Sequence, residues 1–266
     1  MIKLNVSFLE ILKEIILNDS KIKYFYTNKF SHSKYSLDNI LKEILYILKT
    51  GLSWREIRSP IKWETIYWHF NRFSSSGIFK KLFLWLRKGY IKNHPIDIQL
   101  IDSTFIMNKY GQNHIARNKF FKSKNCNKVS FITDANGIPL SVLIKNGNVH
   151  DLTFIDEHIN DLFVPNKKCS SKTIHLLADK GYVSNNVKEK LKENNYNFIY
   201  PTKKNMKEDL TFDKELYKKR IHVEHSFQKL KAFKRVQIRY DSFITSFSSF
   251  IFLAVSQIVY GKLIVM

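Results

Sequence analysis

Cysteine is almost absent from this sequence of 266 residues, since only Cys126 and Cys169 occur. The two lie far apart, and neither belongs to a paired motif of metal ligands. This scarcity excludes a disulfide framework and a zinc-binding module, and it indicates a reducing compartment. The sequence also has no internal repeat and no low-complexity linker.

Acidic residues are scarce as well. The chain has 23 Asp and Glu against 44 Lys and Arg, which gives a formal net charge of +21 at pH 7. A surplus of this size favours contact with a polyanion, with nucleic acid as the first expectation and an anionic membrane surface as the second. The hydrophobic fraction of 44% and the 21 Phe residues exclude a disordered chain and indicate a folded core.

Uncharged runs are rare. The apolar N-terminal stretch is interrupted by Glu10, Lys13 and Glu14, so it is typical of an amphipathic helix and not of a signal peptide. The exception is residues 243–260, which carry no charge and are about long enough to span a bilayer. Because Ser, Thr and Gln interrupt this run, we expect a helix that is buried or covered by a partner, with a membrane span as the alternative.

The first part of the chain, residues 1–92, is predicted to be helical. One amphipathic helix stops at Gly51, a capping box at 53–56 starts a short one, and two aromatic-rich helices flank the break at 74–77. Short helices joined by tight turns are typical of a helix-turn-helix-like DNA-binding region, although three-helix bundles without DNA contacts show the same pattern. The candidate DNA contacts in this region are Arg55 and Arg72.

Residues 93–266 change to a pattern of alternating strands and helices. Three β-rich runs come first, two of them around the hairpin-turn pair Asn136-Gly137. Helix, strand, helix, strand and a long basic helix over 216–231 follow, before the C-terminal helix. This order predicts an α/β domain with a mixed sheet, flanking helices and a C-terminal helix.

Two acidic residues stand at comparable places in the predicted sheet. Asp102 lies toward the end of the strand "IQLID", and Asp179 ends the strand "HLLAD". Either alone is more often a cap for the next turn, but an ionised carboxylate at the end of an apolar strand is unfavourable unless a cation compensates it. Together with Glu224, the lone acid in the middle of the basic helix, they could hold divalent cations for phosphoryl transfer.

The basic helix carries its polar residues in a definite arrangement. At about 100° per residue, Tyr217, Arg220, Glu224 and Lys231 fall within roughly one side of the helix. An apolar stripe adjoins them, formed by Leu216, Val223, Phe227 and Leu230. The interpretation is that the stripe packs on the sheet and directs Glu224 toward the strand carboxylates, flanked by groups that bind phosphate.

The spacing of these four polar residues, Tyr-x2-Arg-x3-Glu-x6-Lys, resembles the signature of DDE transposases of bacterial insertion sequences. Within these, the chain is most similar to the insertion-sequence-five group of the insertion-sequence-four-like superfamily. "LIDST" around Asp102 and "LLADKGY" around Asp179 resemble the two aspartate motifs of that family, and "GIPLSVLIKNGNVHD" resembles the segment between them. Residues 108–126 depart from the Gly- and Arg-rich run that many members carry there.

The resemblance implies a ribonuclease-H-like catalytic domain in which Asp102, Asp179 and Glu224 bind two Mg²⁺ ions, for which Mn²⁺ can substitute. It implies strand cleavage at the terminal inverted repeats of a transposon, followed by transfer of the 3′-OH end into target DNA. A homodimer in the DNA complex and a bacterial cytoplasmic, nucleoid-associated location follow from the same likeness, with no membrane partner. The DNA-binding residues that it implies on the basic helix are Tyr217, Arg220 and Lys231.

Two other functions are compatible with the sequence. One is a catalytically silent DNA-binding protein derived from a transposase, although such a protein gains nothing from acidic residues that face phosphate. The other is a metal-dependent DNA nuclease without strand transfer, which the sequence does not distinguish from a transposase. The histidines His114, His150 and His225 are possible auxiliary groups, for which a structural role is the more common explanation.

Overall fold

A computed structural model describes residues 7–29, 35–162, 173–182, 184–201 and 213–264. The chain divides into two compact units. The first contains residues 1–93, 108–113 and 230–266, and the second contains 94–107 and 114–229.

The first unit is helical. Its helices are α1 (Phe8–Asn18), α2 (Leu37–Thr50), α3 (Trp63–Ser75), α4 (Ile78–Asn93), α9 (Lys234–Gln237) and α10 (Ile244–Leu263). Local sequence signals set two of the boundaries: Ser7 forms a capping box with Glu10 at the start of α1, and α2 ends at Gly51, as predicted, in a left-handed conformation. The capping box at 53–56 forms a single 3₁₀ turn, Trp54–Glu56.

The charge-free run near the C-terminus forms α10, which packs on α3 and α4. Phe250 stacks on Phe70 with ring centroids 4.4 Å apart, and Phe252 lies 5.9 Å from Phe83. By length and composition α10 could cross a membrane, but 56% of its apolar stretch is buried within the protein. This burial is the arrangement expected of a core helix.

The second unit contains a mixed sheet. Its strands are β1 (Ile98–Asn108), β2 (Ala116–Asn118), β3 (Lys124–Asp134), β4 (Pro139–Asn146), β5 (Ile174–Leu177) and β6 (Tyr196–Ile199). They follow the order β2-β3-β1-β5-β6, with β4 also paired to β3. β3 pairs antiparallel with both β1 and β4, whereas β5 and β6 run parallel to β1. The predicted mixed α/β class is therefore confirmed.

Helices α5 (Leu152–Leu162), α6 (Asn185–Glu193), α7 (Lys214–Lys218) and α8 (Ile221–Ala232) complete this unit, apart from the end of α8. α5 packs on β4 and α6 on β6, and the Ser184 side chain caps the start of α6. α8 packs on the sheet through Phe227, whose ring stacks on Phe131 of β3 at 4.7 Å.

The hairpin between β3 and β4 lies against α8. Gly137 has φ +75°, a left-handed conformation that side chains other than glycine rarely adopt. A Cβ atom at this position would collide with the carbonyl of His222, and the Ser226 hydroxyl donates a hydrogen bond to the Gly137 carbonyl. Glycine therefore permits the turn and also allows α8 to approach the sheet closely.

The prediction of one long helix over 216–231 was wrong. α7 ends at Lys218 and α8 begins at Ile221, with a turn at Lys219 and Arg220 between them. Amide groups here bond three residues back, as from Arg220 to Tyr217 and from Val223 to Arg220. Bonds of this kind wind the chain more tightly than an α-helix, so a wheel drawn at a constant angle does not hold across the turn.

Among the strands and α-helices, β2, α9 and β7 (Ile238–Arg239) were not predicted. The predicted division at residue 92 lies next to the end of the first segment at Asn93, but residues 230–266, which were predicted to belong with the sheet, group with the N-terminal helices. The physical reason is the apolar surface of α10, which is buried against α3 and α4.

Candidate active site

Asp102 and Asp179 belong to adjacent strands, but only Asp179 follows a strand end. The prediction was wrong for Asp102, which lies within β1, because β1 continues to Asn108 in its pairing with β3. β1 and β5 are parallel, and Leu100 and Leu177 form the last pair of their register. Asp102 and Asp179 each come two residues later, beyond the last pair. If the chains continue in the same register, the two carboxylates are neighbours, and their convergence stays a prediction.

Arg220 connects one of these aspartates to the acid on α8. Its Nη1 donates to Asp102 Oδ2 at 2.8 Å, and its Nη2 donates to Glu224 Oε1 at 3.2 Å. A planar guanidinium presents its donors in a fixed geometry. The two carboxylate oxygens that accept from it must therefore lie close together. The turn between α7 and α8 places Arg220 where it can reach both.

The carboxylates differ in how much water they contact. The Asp102 side chain is 22% exposed and that of Glu224 is 48% exposed. Burial raises the pKa of Asp102 above its ordinary value, although Arg220 opposes the shift, and the nearby charge of Glu224 raises it further. Asp179 is exposed, and its Oδ1 accepts a hydrogen bond from the Lys180 amide at 2.7 Å.

Tyr217 belongs to the same electrostatic environment. The side chain is half-buried, and burial raises its pKa above the ordinary value. Arg220 opposes this shift, whereas the negative charges of Asp179 and Asp102 add to it. The phenol therefore remains protonated at neutral pH and can donate a hydrogen bond.

This arrangement suits a divalent metal ion by its chemistry. Carboxylate oxygens are the ligands that hard divalent cations prefer, and the fork of Arg220 already places positive charge between two of them. Within the described ranges, however, no three or more His, Cys, Asp or Glu side chains are close enough to hold an ion. The donor set fits a metal, but the side chains must move to gather around one.

Family comparisons agree with this chemistry. Residues 93–258 match the model of the transposase DDE domain, and residues 26–83 match that of a putative transposase of the IS4/5 family. The chain belongs to the DDE transposase family. The two matches together identify it as a DDE transposase of the IS4/5 type, as the resemblance indicated.

Individual relatives are more distant. The chain is 27% identical over 135 residues to a putative transposase for insertion sequence element IS6501 from Brucella ovis, covering 49% of this chain and 95% of that relative. Its fold is similar to piggyBac transposase, solved as a synaptic complex with hairpin DNA, with a TM-score of 0.59 and 10% identity. That likeness covers 97% of this chain and 76% of the other.

Sequence analysis of this transposase missed a polar cluster next to Asp102. Ser103 donates to Asp151 Oδ1 at 2.6 Å, and Lys128 Nζ lies 2.9 Å from the same oxygen. The Tyr182 hydroxyl also donates to it, at 3.4 Å. The signals were present in the "HD" and "ADKGY" segments, but nothing in the sequence linked these segments to Lys128.

A chain of buried hydrogen bonds connects β1 to the neighbouring strands and to α5. Ser130 donates to the Asp102 carbonyl at 3.1 Å, and the two nitrogens of the fully buried His158 lie 2.9 Å from Ser130 Oγ and 2.8 Å from Ser141 Oγ. Burial lowers the pKa of His158 to about 3, so the ring is neutral. The imidazole of His158 in α5 therefore connects β3 and β4.

The other predicted site residues have varied surroundings. Lys231 is half-buried in the last turn of α8, which belongs to the first unit, and burial lowers its pKa. Arg55 is exposed and lies over the Trp63 ring at 5.4 Å, whereas Arg72 is stacked on two aromatic rings at 4.4 and 4.5 Å. His150 Nδ1 accepts from the Leu152 amide, and His114 and His225 are exposed.

Proposed function

We propose that this transposase cleaves DNA strands at the ends of a transposon and joins the resulting 3′-OH ends to target DNA. The observation that carries the proposal is that the Arg220 guanidinium donates hydrogen bonds to both Asp102 and Glu224. Asp179 would lie beside Asp102 if the register of β1 and β5 continues. In the proposed reaction these three carboxylates are the catalytic residues. The membership of the chain in the DDE family supports this assignment.

The cofactor that we propose is a pair of divalent metal ions, Mg²⁺ or in its place Mn²⁺, held by Asp102, Asp179 and Glu224. When bound, such ions activate the attacking hydroxyl and stabilise the leaving oxygen in phosphoryl transfer. The incomplete burial of Glu224 and Asp179 leaves both carboxylates free to turn toward an ion. Arg220 is then released to bind a DNA phosphate.

In this proposal Arg220, Tyr217 and Lys231 bind and orient DNA. Arg220 presents a fork that matches the oxygens of a phosphate group. The protonated phenol of Tyr217 donates a hydrogen bond to a phosphate oxygen near the cleaved bond. Lys231 adds a phosphate contact through its ammonium group.

The proposal extends to architecture and partners. The antiparallel β4-β3-β1 strands followed by parallel β5 and β6 match the ribonuclease-H-like sheet that the resemblance implies. We assign DNA binding to the helices of residues 1–92, with Arg55 as a phosphate contact, and catalysis to the sheet. The DNA partners are terminal inverted repeats and target DNA, bound by a homodimer in the bacterial cytoplasm, at the nucleoid.

The central test compares Glu224→Gln with the wild-type protein on the same transposon-end DNA. Glutamine keeps the shape of the side chain and removes its charge, so Mg²⁺-dependent nicking should fall by roughly 10³-fold or more while DNA binding is retained. Glu215→Gln is the matched control, because Glu215 is an exposed acid on the preceding helix that pairs only with the exposed Lys218 among the contacts described. Near-normal nicking by the Glu224→Gln protein would overturn the assignment.

Two further measurements separate the alternatives. Lys231→Ala should weaken DNA binding modestly and reduce its salt dependence, since it removes one phosphate contact. A strand-transfer assay with pre-cleaved 3′-OH ends distinguishes a transposase from a nuclease, because only a transposase joins those ends to a second DNA. A protein that binds transposon ends but neither nicks nor joins them would be a silent derivative.

A further inference from the structure

A pocket of about 130 Å³ lies in the first unit, apart from the carboxylates. Aromatic side chains supply its walls, among them Trp54, Trp63 and Tyr67, and the exposed Tyr240. The stretch after α8, Arg235 and Asp241, contributes a charged pair to its lining. The proposed reaction leaves this pocket without a role.

The charged pair in the pocket has unused hydrogen-bonding capacity. Arg235 Nη2 donates to Asp241 Oδ1 at 2.6 Å, and Nη1 donates to the Leu52 carbonyl at 3.1 Å. Arg235 Nε and Asp241 Oδ2 have no hydrogen-bond partner among the described residues, although the two side chains are only 5% and 4% exposed. Buried polar atoms normally have hydrogen-bond partners. The Arg235 donor and the Asp241 acceptor could therefore bind a ligand that carries an acceptor and a donor of its own.

The chemistry of the lining restricts the class of ligand. The two charges cancel, so the pocket has little attraction for a free phosphate or another anion. Aromatic faces favour a flat ring, on which they can stack. Every nucleobase is flat and carries donors and acceptors side by side on its edge, which are the features used by proteins that hold an extruded base.

One cationic side chain lies beside the pocket. Arg55 is exposed and lies 5.4 Å from the centre of the Trp63 ring, which lines the pocket. A guanidinium at this place can bind the backbone phosphate next to a base that has left the stack. An aromatic pocket beside a cationic side chain therefore suits a nucleotide better than an isolated ring.

We propose that this pocket holds one unstacked nucleobase of the bound DNA. The inference rests on the proposed function only in requiring that the protein binds DNA. Stacking between aromatic walls and hydrogen bonding to the Arg235–Asp241 pair would fix the DNA strand relative to the first unit. An unpaired base should enter most easily, because it has no partner in the duplex to give up.

The test measures binding to two duplexes that differ only in one inserted, bulged 2-aminopurine. Base–aromatic stacking predicts that the wild-type protein binds the bulged duplex about 5- to 100-fold more tightly. Most of this preference should persist as salt is raised, because stacking releases no counterions and the bulge adds a single phosphate. The fluorescence of the 2-aminopurine should report stacking by a decrease on binding.

Substitutions at the pocket should remove this preference alone. Tyr67→Ala and Tyr240→Ala are expected to bind the paired duplex as the wild type does, with the bulge preference reduced to about 2-fold or less. Trp85→Ala and Tyr46→Ala are controls, because these aromatic residues of α4 and α2 are exposed but do not line the pocket. Thermal unfolding establishes that each variant is folded before it is compared.

The outcomes separate the pocket from the catalytic proposal. Equal binding of the two duplexes by the wild-type protein would overturn the pocket assignment and leave nicking untouched. A preference that survives in both pocket variants would also overturn it, since the bulge would then bind elsewhere. Failure of the catalytic proposal is seen separately, as normal nicking by Glu224→Gln.

Discussion

The fork of Arg220 predicts how the protein behaves when this residue is replaced. In the metal-free protein its guanidinium supplies the positive charge between Asp102 and Glu224. Arg220→Gln removes that charge and leaves two carboxylates facing each other. The variant should therefore be less stable than the wild type without metal, and it should bind divalent ions more tightly.

The expected loss of stability follows from the exposure of the two ion pairs. Arg220 and Asp102 are 17% and 22% exposed, and a hydrogen bond to a charged group in such surroundings contributes about 1.5–3 kcal/mol. Glu224 is 48% exposed, so solvent screens its ion pair with Arg220, which contributes less than about 1 kcal/mol to stability. A total of about 2 kcal/mol corresponds to a fall in Tm of about 4–8 °C.

Metal binding should reverse much of this loss. An ion that binds only the folded protein stabilises it by mass action, and in the variant the ion no longer competes with Arg220. Mn²⁺ should therefore raise the Tm of Arg220→Gln more than that of the wild type. Isothermal titration calorimetry with Mn²⁺, without DNA, should give a lower Kd for the variant.

Lys218→Gln is the control for a general loss of positive charge. Lys218 is 71% exposed and pairs with Glu215, so its removal should change neither Tm nor Mn²⁺ affinity appreciably. The reasoning is refuted if Arg220→Gln binds Mn²⁺ no more tightly than the wild-type protein does. Weaker DNA binding by the same variant is a separate expectation, because Arg220 is also a proposed phosphate contact.

Two more predictions concern stability. Burial raises the folded-state pKa of Asp102 above 3.8 although Arg220 lowers it, so the cost of burying this charge exceeds what its ion pair contributes. Ionisation therefore destabilises the fold as pH rises through that pKa, and Asp102→Asn should have the higher Tm at pH 7 without metal, while nicking is lost. If the two Tm values agree at pH 7, or differ more below pH 4 than at pH 7, burial of the Asp102 charge is not the cause. Gly137→Ala should destabilise the fold by more than the roughly 1–3 kcal/mol of a left-handed residue alone, because its Cβ would also meet α8. Gly77→Ala is the control, with φ +71° and nothing within 4 Å of the added atom, and equal losses of Tm would refute a collision with α8.

Local signals in the sequence predicted most elements of this protein. Ser184 caps α6, Gly51 ends α2, and Asn136-Gly137 forms the hairpin turn, because each depends on a few adjacent residues. Asp102 and Asp179 were recognisable for the same reason, as acidic residues within or just after apolar strands.

Features that depend on distant residues were not predictable. The break between α7 and α8 has no Pro or Gly to mark it, and the pattern of apolar residues continues across it. The pocket combines residues near 54–67 with others near 235–246, which no local pattern relates. The grouping of α10 with the first helices likewise results from packing and not from any signal within α10 itself.

The turn that the sequence did not reveal also explains why arginine occupies the centre of the site. With a net charge of +21 the chain has cations in abundance, but exposed ammonium groups are screened and do not remove the repulsion between the carboxylates of Asp102 and Glu224. Only a group fixed between them can do so. The tight turn after α7 directs Arg220 there, and its fork matches two separate carboxylate oxygens, whereas a lysine would offer a single point of charge. The same fork also matches a phosphate, so one side chain can neutralise the acids before metal arrives and contact DNA afterwards.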